Sequence, residues 1–117
     1  MNFDSFVLDV ESNLLDACLK IQANDCRAIV VRKQGVLFGI LTEGDIIRAF
    51  IDGARNVSEI HDYVNISPRT FLIDTPLIDI KFMQGFMEGI TLIPIIDENS
   101  KIFGVKTIFG EYYADQY

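Results

Sequence analysis

The stretch Phe38-Gly39-Ile40-Leu41-Thr42, which leads into Glu43-Gly44-Asp45-Ile46-Ile47-Arg48-Ala49, has a second version later in the chain. It begins Phe103-Gly104-Val105-Lys106-Thr107 and reaches Ala114 at the place of Ala49. Working outward from this pair, Ser5–Phe50 can be laid without a gap on Thr70–Asp115. Phe6 then falls on Phe71 and Asp9 on Asp74, and apolar residues stand opposite apolar residues at Val7/Leu72, Leu8/Ile73, Val30/Ile95, Val31/Ile96, Leu37/Ile102 and Ile40/Val105. So long a shared apolar rhythm marks a tandem duplication, and in repeat architectures each copy buries its apolar face against its neighbour.

Each copy reads as β-α-β-β-α. In the first, a short extended segment (Phe6–Leu8) precedes a helix from Ser12 to about Ala23, with Ser12 as N-cap and Leu14, Leu15, Cys18, Leu19 and Ile21 on the buried side. Strands Ala28–Arg32 and Val36–Leu41 follow, joined by the turn Lys33-Gln34-Gly35, and a helix Glu43–Ile51 closes the unit. In the second copy the extended segment is Phe71–Ile73, and Pro76 opens a helix with the stripe Ile80, Phe82, Met83, Phe86 and Met87. Strands Leu92–Ile96 and Ile102–Lys106 then lead to a closing helix Phe109–Gln116. The expected fold class is α/β (α+β): two repeats packed sheet to sheet with pseudo-two-fold symmetry, spanning 1–53 and 70–117. The connector 54–69 contains Val57, Ile60 and Val64 as a short amphipathic turn and ends at Ser67-Pro68.

Composition supports one compact module. The chain has 117 residues, half of them hydrophobic and 23% charged, which supplies a core and excludes intrinsic disorder. Mean hydropathy is +0.26, yet the longest apolar runs fall far short of the roughly 18 residues a spanning helix needs. No basic leader with an apolar segment opens the sequence, so the expectation is a protein without a secretory signal. A net charge of −7 argues against duplex nucleic acid and anionic membrane surfaces as partners. Two cysteines and one histidine are too few for a zinc site, and with nothing pointing to an oxidising compartment the expectation is reduced cytoplasm. Catalysis is not expected, because His61 lies in the connector and neither cysteine has a base nearby in sequence.

The run from Gly39 to Ala49 resembles the signature of the cystathionine-β-synthase (CBS) domain, in which a strand ends in glycine and a Thr/Ser-x-x-Asp turn opens a helix. Ile93-Pro94-Ile95-Ile96-Asp97 is similar to the family's apolar-Pro-Val-Val-Asp strand, and Val57-Ser-Glu-Ile60 resembles the element preceding a second unit. The doubled order resembles a CBS pair, or Bateman module, over nearly the whole chain. Within the family, Thr42–Gly53 looks most like CBS pairs attached to sugar-nucleotide nucleotidyltransferases and sugar-phosphate isomerases.

The resemblance implies an adenosine-containing ligand, AMP, ADP, ATP or S-adenosylmethionine, held in the cleft between the units, with no other cofactor required. Asp45 at the helix start would accept hydrogen bonds from the ribose hydroxyls, and Thr42 with the free N–H groups after it would meet phosphate. The plainer reading is that Thr42 and Asp45 simply cap the helix. Arg27 would reach phosphate; Arg48 would either do so or pair with Asp45 or Asp52. Ser5 and Val7 match base-pocket positions, Ala28 and Val30 would face adenine, and Gly39 ends the strand that carries the site. His61 and Arg69 read as surface residues. In the second copy Gly110 replaces Asp45 and Leu92 stands at Arg27's place, so one site per chain is expected. The implied function is regulation of an attached or associated enzyme, such as a sugar-phosphate nucleotidyltransferase, by a homodimer docked through Ile46, Ile47, Phe50, Tyr112 and Tyr113. The alternative is a ligand-free structural dimerisation module.

Overall fold

The computed structural model describes residues 1–74 and 88–114. After a 3-10 turn at Phe3–Phe6, the first unit runs β1 (Val7–Asp9), α1 (Leu14–Asn24), β2 (Ala28–Lys33), β3 (Val36–Thr42) and α2 (Glu43–Ile51). A second 3-10 turn, His61–Tyr63, lies in the connector. The second unit contributes β4 (Phe71–Leu72), β5 (Leu92–Ile96), β6 (Ile102–Thr107) and β7 (Gly110–Tyr113). The expected helix with Ile80, Phe82, Met83, Phe86 and Met87 lies outside the described residues. The architecture is mixed α+β with two sheets, ordered β1-β2-β3 and β4-β5-β6-β7. Both begin with a parallel pair and continue with an antiparallel one, so the topology itself is duplicated.

Both helices of the first unit start on capping boxes, which satisfy two of the orphan backbone groups at a helix end. The cap of α1 is Asn13, not Ser12: its side chain accepts from the Asp16 N–H at 2.9 Å while Asp16 Oδ2 accepts from the Asn13 N–H. The buried stripe also differs from the expected one. Leu14, Ala17 and Ile21 face the core, Cys18 is half-buried, and Leu15 and Leu19 stand exposed. For α2 the expected bounds hold, with Thr42 as N-cap and Asp45 completing the box.

One apolar cluster joins the two sheets: Phe6, Val7, Ala28 and Val30 of the first unit pack with Leu92, Ile96, Ile102 and Val105 of the second. A second cluster fills the space between the first sheet and its helices, and takes in Ile60 and Val64 from the connector, while Val57 is exposed.

The sheet registers correct the gapless alignment. Thr107 pairs with Leu92 as Thr42 pairs with Ala28, and the ladder slips between Ile95 and Ile96 as it does between Val31 and Arg32. The Ile108 N–H reaches the Thr91 carbonyl as the Glu43 N–H reaches that of Arg27. Thr91, not Leu92, is therefore the structural counterpart of Arg27. A gapless match cannot see a residue lost before β5 and regained in the longer β5–β6 turn.

The second unit closes with a strand where a helix is expected. After Thr107 the chain reads Ile108-Phe109-Gly110-Glu111-Tyr112-Tyr113, which has glycine where a capping carboxylate would sit and then two tyrosines that favour strands. The Thr107 hydroxyl folds the chain back, accepting from the Phe109 and Gly110 N–H groups and donating to the Gly110 carbonyl. β7 then pairs antiparallel with β6, and the Tyr112 ring stacks on Phe6 with centroids 4.7 Å apart.

Lys106 and Glu111 clamp this hairpin through a 3.0 Å ion pair. The hydrogen bond from Lys106 holds the Glu111 carboxyl below its usual range, outweighing partial burial, which acts the other way. A depressed carboxyl pKa adds stability that is complete above the unfolded-state value and is lost as pH falls through the folded-state value. Glu111→Gln is accordingly expected to flatten the acid limb of a melting-temperature profile below about pH 4.5. An unchanged acid limb would show that the pair contributes nothing measurable.

Candidate functional site

A cavity of about 460 Å³ opens between the units. The first unit contributes Arg27 and Ala28 at the start of β2, Thr42 at the end of β3, and Glu43, Gly44 and Ile47 of α2. The connector adds Asn65, Pro68 and Arg69, and the second unit adds Gly89, Ile90, Thr91 and Leu92. The first turn of α2 thus borders the cavity, where the helix dipole favours negative charge. Arg69 donates to Glu88 at 3.0 Å, whereas Arg27 makes no ion pair among the described residues.

Of the site residues expected from sequence, Arg27, Ala28 and Thr42 come together here. Asp45 lies one turn into α2: its Oδ2 accepts from the Thr42 N–H at 2.9 Å and its Oδ1 from Arg48 Nη2 at 2.6 Å. Arg48 is mostly exposed and turned onto that carboxylate. Val30 is sealed in the core between the sheets. Gly39 is pressed against the connector, where a Cβ would lie 2.6 Å from Val64 Cγ1. Ser5 and Val7 do not line the cavity; Ser5 accepts from Asn24 through its carbonyl, and Val7 is packed in the inter-sheet core. Arg69, expected at the surface, is part of the wall. Nothing in the local sequence marks Arg69 or Asn65 as lining residues, because the connector's path over β3 places them, with Asn65 bridged to Ile40 by two backbone hydrogen bonds.

The corresponding residues of the second unit are arranged differently. Thr107, barely accessible, spends its hydroxyl on the turn. No helix start follows it, since β7 occupies that place. Phe6 and Tyr112 stack on one another, and Phe3 is buried in the same cluster. Gly110 has φ near 145°, which strains any residue with a Cβ, so restoring an aspartate there would not rebuild a helix start.

A larger groove of about 620 Å³ runs between α1 and α2 and shares Arg27, Glu43 and Ile47 with the first cavity. The adjoining helix surfaces expose Leu15, Leu19, Ile47, Phe50 and Ile51. Ile46, expected on this outer face, is buried in the core instead. Burial pushes the thiols of Cys18 and Cys26 up, so neither is primed as a nucleophile. Among the described residues no group of three or more His, Cys, Asp or Glu side chains is placed to hold a metal ion. No helix among them is long and apolar enough to cross a membrane.

Comparisons with known proteins agree with this geometry. Residues 1–52 match the CBS domain family. Over 80 residues the chain is 30% identical to an uncharacterized protein of Helicobacter pylori, a match covering 67% of this chain and 24% of that relative. The chain thus spans about a quarter of the length of the curated relatives it matches. Among solved structures, the CBS domains of a transcriptional regulator from Streptococcus pneumoniae superpose with a TM-score of 0.74 at 16% identity, covering 94% of this chain and 89% of that one. A CBS domain protein from Pyrobaculum aerophilum, solved in complex with AMP, gives 0.71 at 19% identity over 89% and 80% of the two chains. A CBS domain pair complexed with 5′-methylthioadenosine and S-adenosyl-L-methionine gives 0.70 at 18% identity over 87% and 83%. The match of residues 1–52 to the CBS domain family, together with a fold shared with CBS pairs over nearly the whole chain, supports a tandem CBS module.

Proposed function

We propose that the open cleft holds an adenosine-containing nucleotide and that the module is a sensor regulating an attached or associated enzyme. The observation that carries this reading is Arg27: a cation without a carboxylate partner among the described residues, set beside Thr42 and the α2 N-terminus in a cavity. The cavity's size falls in the range of roughly 300–1,000 Å³ usual for small-molecule sites. Arg27 and the α2 amides meet phosphate, Ala28 lines the base, and Asp45 takes the ribose hydroxyls once the exposed Arg48 swings away. The complexes formed by the AMP-bound and S-adenosyl-L-methionine-bound structures support the ligand class. The strand that follows Thr107, in place of a helix start, supports one site per chain.

The module comprises repeat 1–53, connector 54–69 and repeat 70–117, and belongs to a longer or associated enzyme in reducing cytoplasm. The length of the relatives supports that context, two free cysteines support the compartment, and the Thr42–Gly53 run points to a sugar-phosphate nucleotidyltransferase. The exposed face of Leu15, Leu19, Ile47, Phe50 and Ile51 supports a homodimer, of the isologous kind that closes most simply. Thermal melts with AMP, ADP, ATP and S-adenosylmethionine test the reading. At a hundred times its dissociation constant a true ligand adds about 2.7 kcal/mol. If none of the four raises the melting temperature at millimolar concentration, the sensor reading is overturned.

One observation favours a second reading. Asp45 and Arg48 already satisfy each other and the helix cap, as they would in a structural dimerisation module that takes no ligand. A dimer mass by light scattering together with no nucleotide response would select it.

A further inference from the structure

The turn that delivers Arg27 to the cleft has an uncommon backbone. Asp25 and Arg27 both lie in the left-handed region, at φ of 58° and 59°. For Asp25 this is ordinary, because it is the C-cap of α1. No helix end accounts for Arg27, a long side chain in a region that disfavours a Cβ. Buried Asn24 ties the turn on three sides. Its Nδ2 donates to the carbonyls of Ser5 and Ala28 at 3.0 and 3.1 Å, and its Oδ1 accepts from the Cys26 N–H at 2.8 Å. The Thr91 hydroxyl donates to the Cys26 carbonyl, and the Glu43 N–H donates to that of Arg27 at 2.9 Å. Residues 24–28 are therefore fastened to the chain's entry, to α2 and to the second unit at once.

We propose that Asn24 is a positioning residue for the cleft: through three hydrogen bonds its amide holds the strained turn that sets the Arg27 guanidinium against an anionic group of the ligand. This rests on the reading of the cleft as a nucleotide site. A strained residue persists where surrounding contacts over-determine it, and such residues cluster at binding sites. At Arg27 the contacts are identified, and the side chain so placed is the cation of the cavity that makes no ion pair among the described residues.

The test compares AMP with adenosine, which lacks the phosphate, by calorimetry on the intact chain. Asn24→Ser is expected to weaken AMP about tenfold, approaching Arg27→Ala, while adenosine affinity stays within about twofold. The double variant should bind AMP no more weakly than Arg27→Ala alone, since both changes remove one contact. Asn24→Asp keeps the size and the acceptor for Cys26 but loses both donors, and should give the same pattern if the serine variant folds poorly. Equal losses for AMP and adenosine, or additive losses in the double variant, would overturn the positioning role.

A ligand-free arm addresses the strain. Glycine is at ease in the left-handed region, so Arg27→Gly should melt roughly 4–8 °C above Arg27→Ala. Equal melting of the two would overturn the strained turn. Binding of neither AMP nor adenosine by the wild-type chain would overturn the nucleotide reading and the positioning role with it, whereas the melting pair would still judge the turn.

Discussion

Gly39→Ala is expected to lower the melting temperature by roughly 10–15 °C, the equivalent of about 2–3 kcal/mol. The added methyl would press on the Asn65 carbonyl and lie 2.6 Å from Val64 Cγ1. Neither neighbour is free to retreat. Asn65 is bonded to Ile40 through both backbone groups, and Val64 is buried in the core of the first unit. The glycine of the strand is thus a place where the connector's backbone crosses β3 closely. Gly104→Ala meets the same kind of obstacle, 2.7 Å from the Tyr112 carbonyl on β7. Gly44→Ala is the control: its methyl would meet only the flexible end of Arg48 at 3.4 Å, on a helix where alanine gains up to about 1 kcal/mol. Thermal or urea denaturation of the three variants should give two large losses and one neutral or favourable change. Wild-type stability in Gly39→Ala would show that the connector does not need that close approach.

Asp45→Ala is expected to cost about 1 kcal/mol of stability and at least tenfold in nucleotide affinity. The first loss follows from the capping box: without the carboxylate the Thr42 N–H loses its partner at 2.9 Å, and Arg48 loses its ion pair. The second follows from the proposed ribose contact, where a charged hydrogen bond contributes roughly 1.5–3 kcal/mol, or about 10–150-fold in affinity. The two effects separate in Asp45→Asn, which keeps an acceptor for the Thr42 N–H and so most of the cap, while the lost charge weakens ribose binding. Calorimetry on the wild-type chain should give close to one ligand per chain. If Asp45→Ala binds with wild-type affinity while melting lower, Asp45 is a helix cap and nothing more, and the site reduces to Arg27, Thr42 and Ala28. Two equivalent sites per chain would overturn the asymmetry proposed from the missing helix start after Thr107.

The features written in neighbouring residues were legible from the chain alone. The duplication, the order of elements in the first unit and the bounds of α2 were legible because each is written in neighbouring residues: repeated apolar positions, a turn at Gln34-Gly35, and Thr42 three residues before Asp45. Thr42, Arg27 and Ala28 were legible as cleft residues through the resemblance of Gly39–Ala49 to the CBS signature, and the structure sets them at paired strand ends beside the cavity. The tertiary structure alone decided the rest. Tyr112 and Tyr113 suit a helical stripe or a strand, and the open edge of β6 together with the Phe6 ring selected the strand. Which side of α1 is buried was decided by packing: Leu14, Ala17 and Ile21 meet the first sheet and α2, leaving Leu15 and Leu19 outside. The off-by-one pairing of Thr91 with Arg27 appears only in the sheet register, because apolar residues on both sides of β5 make neighbouring alignments equally hydrophobic. Arg69 and Asn65 entered the cleft wall because the connector is pinned across β3. Contacts between residues distant in the chain carry no local signature, and they alone set where the connector runs and how the second unit closes.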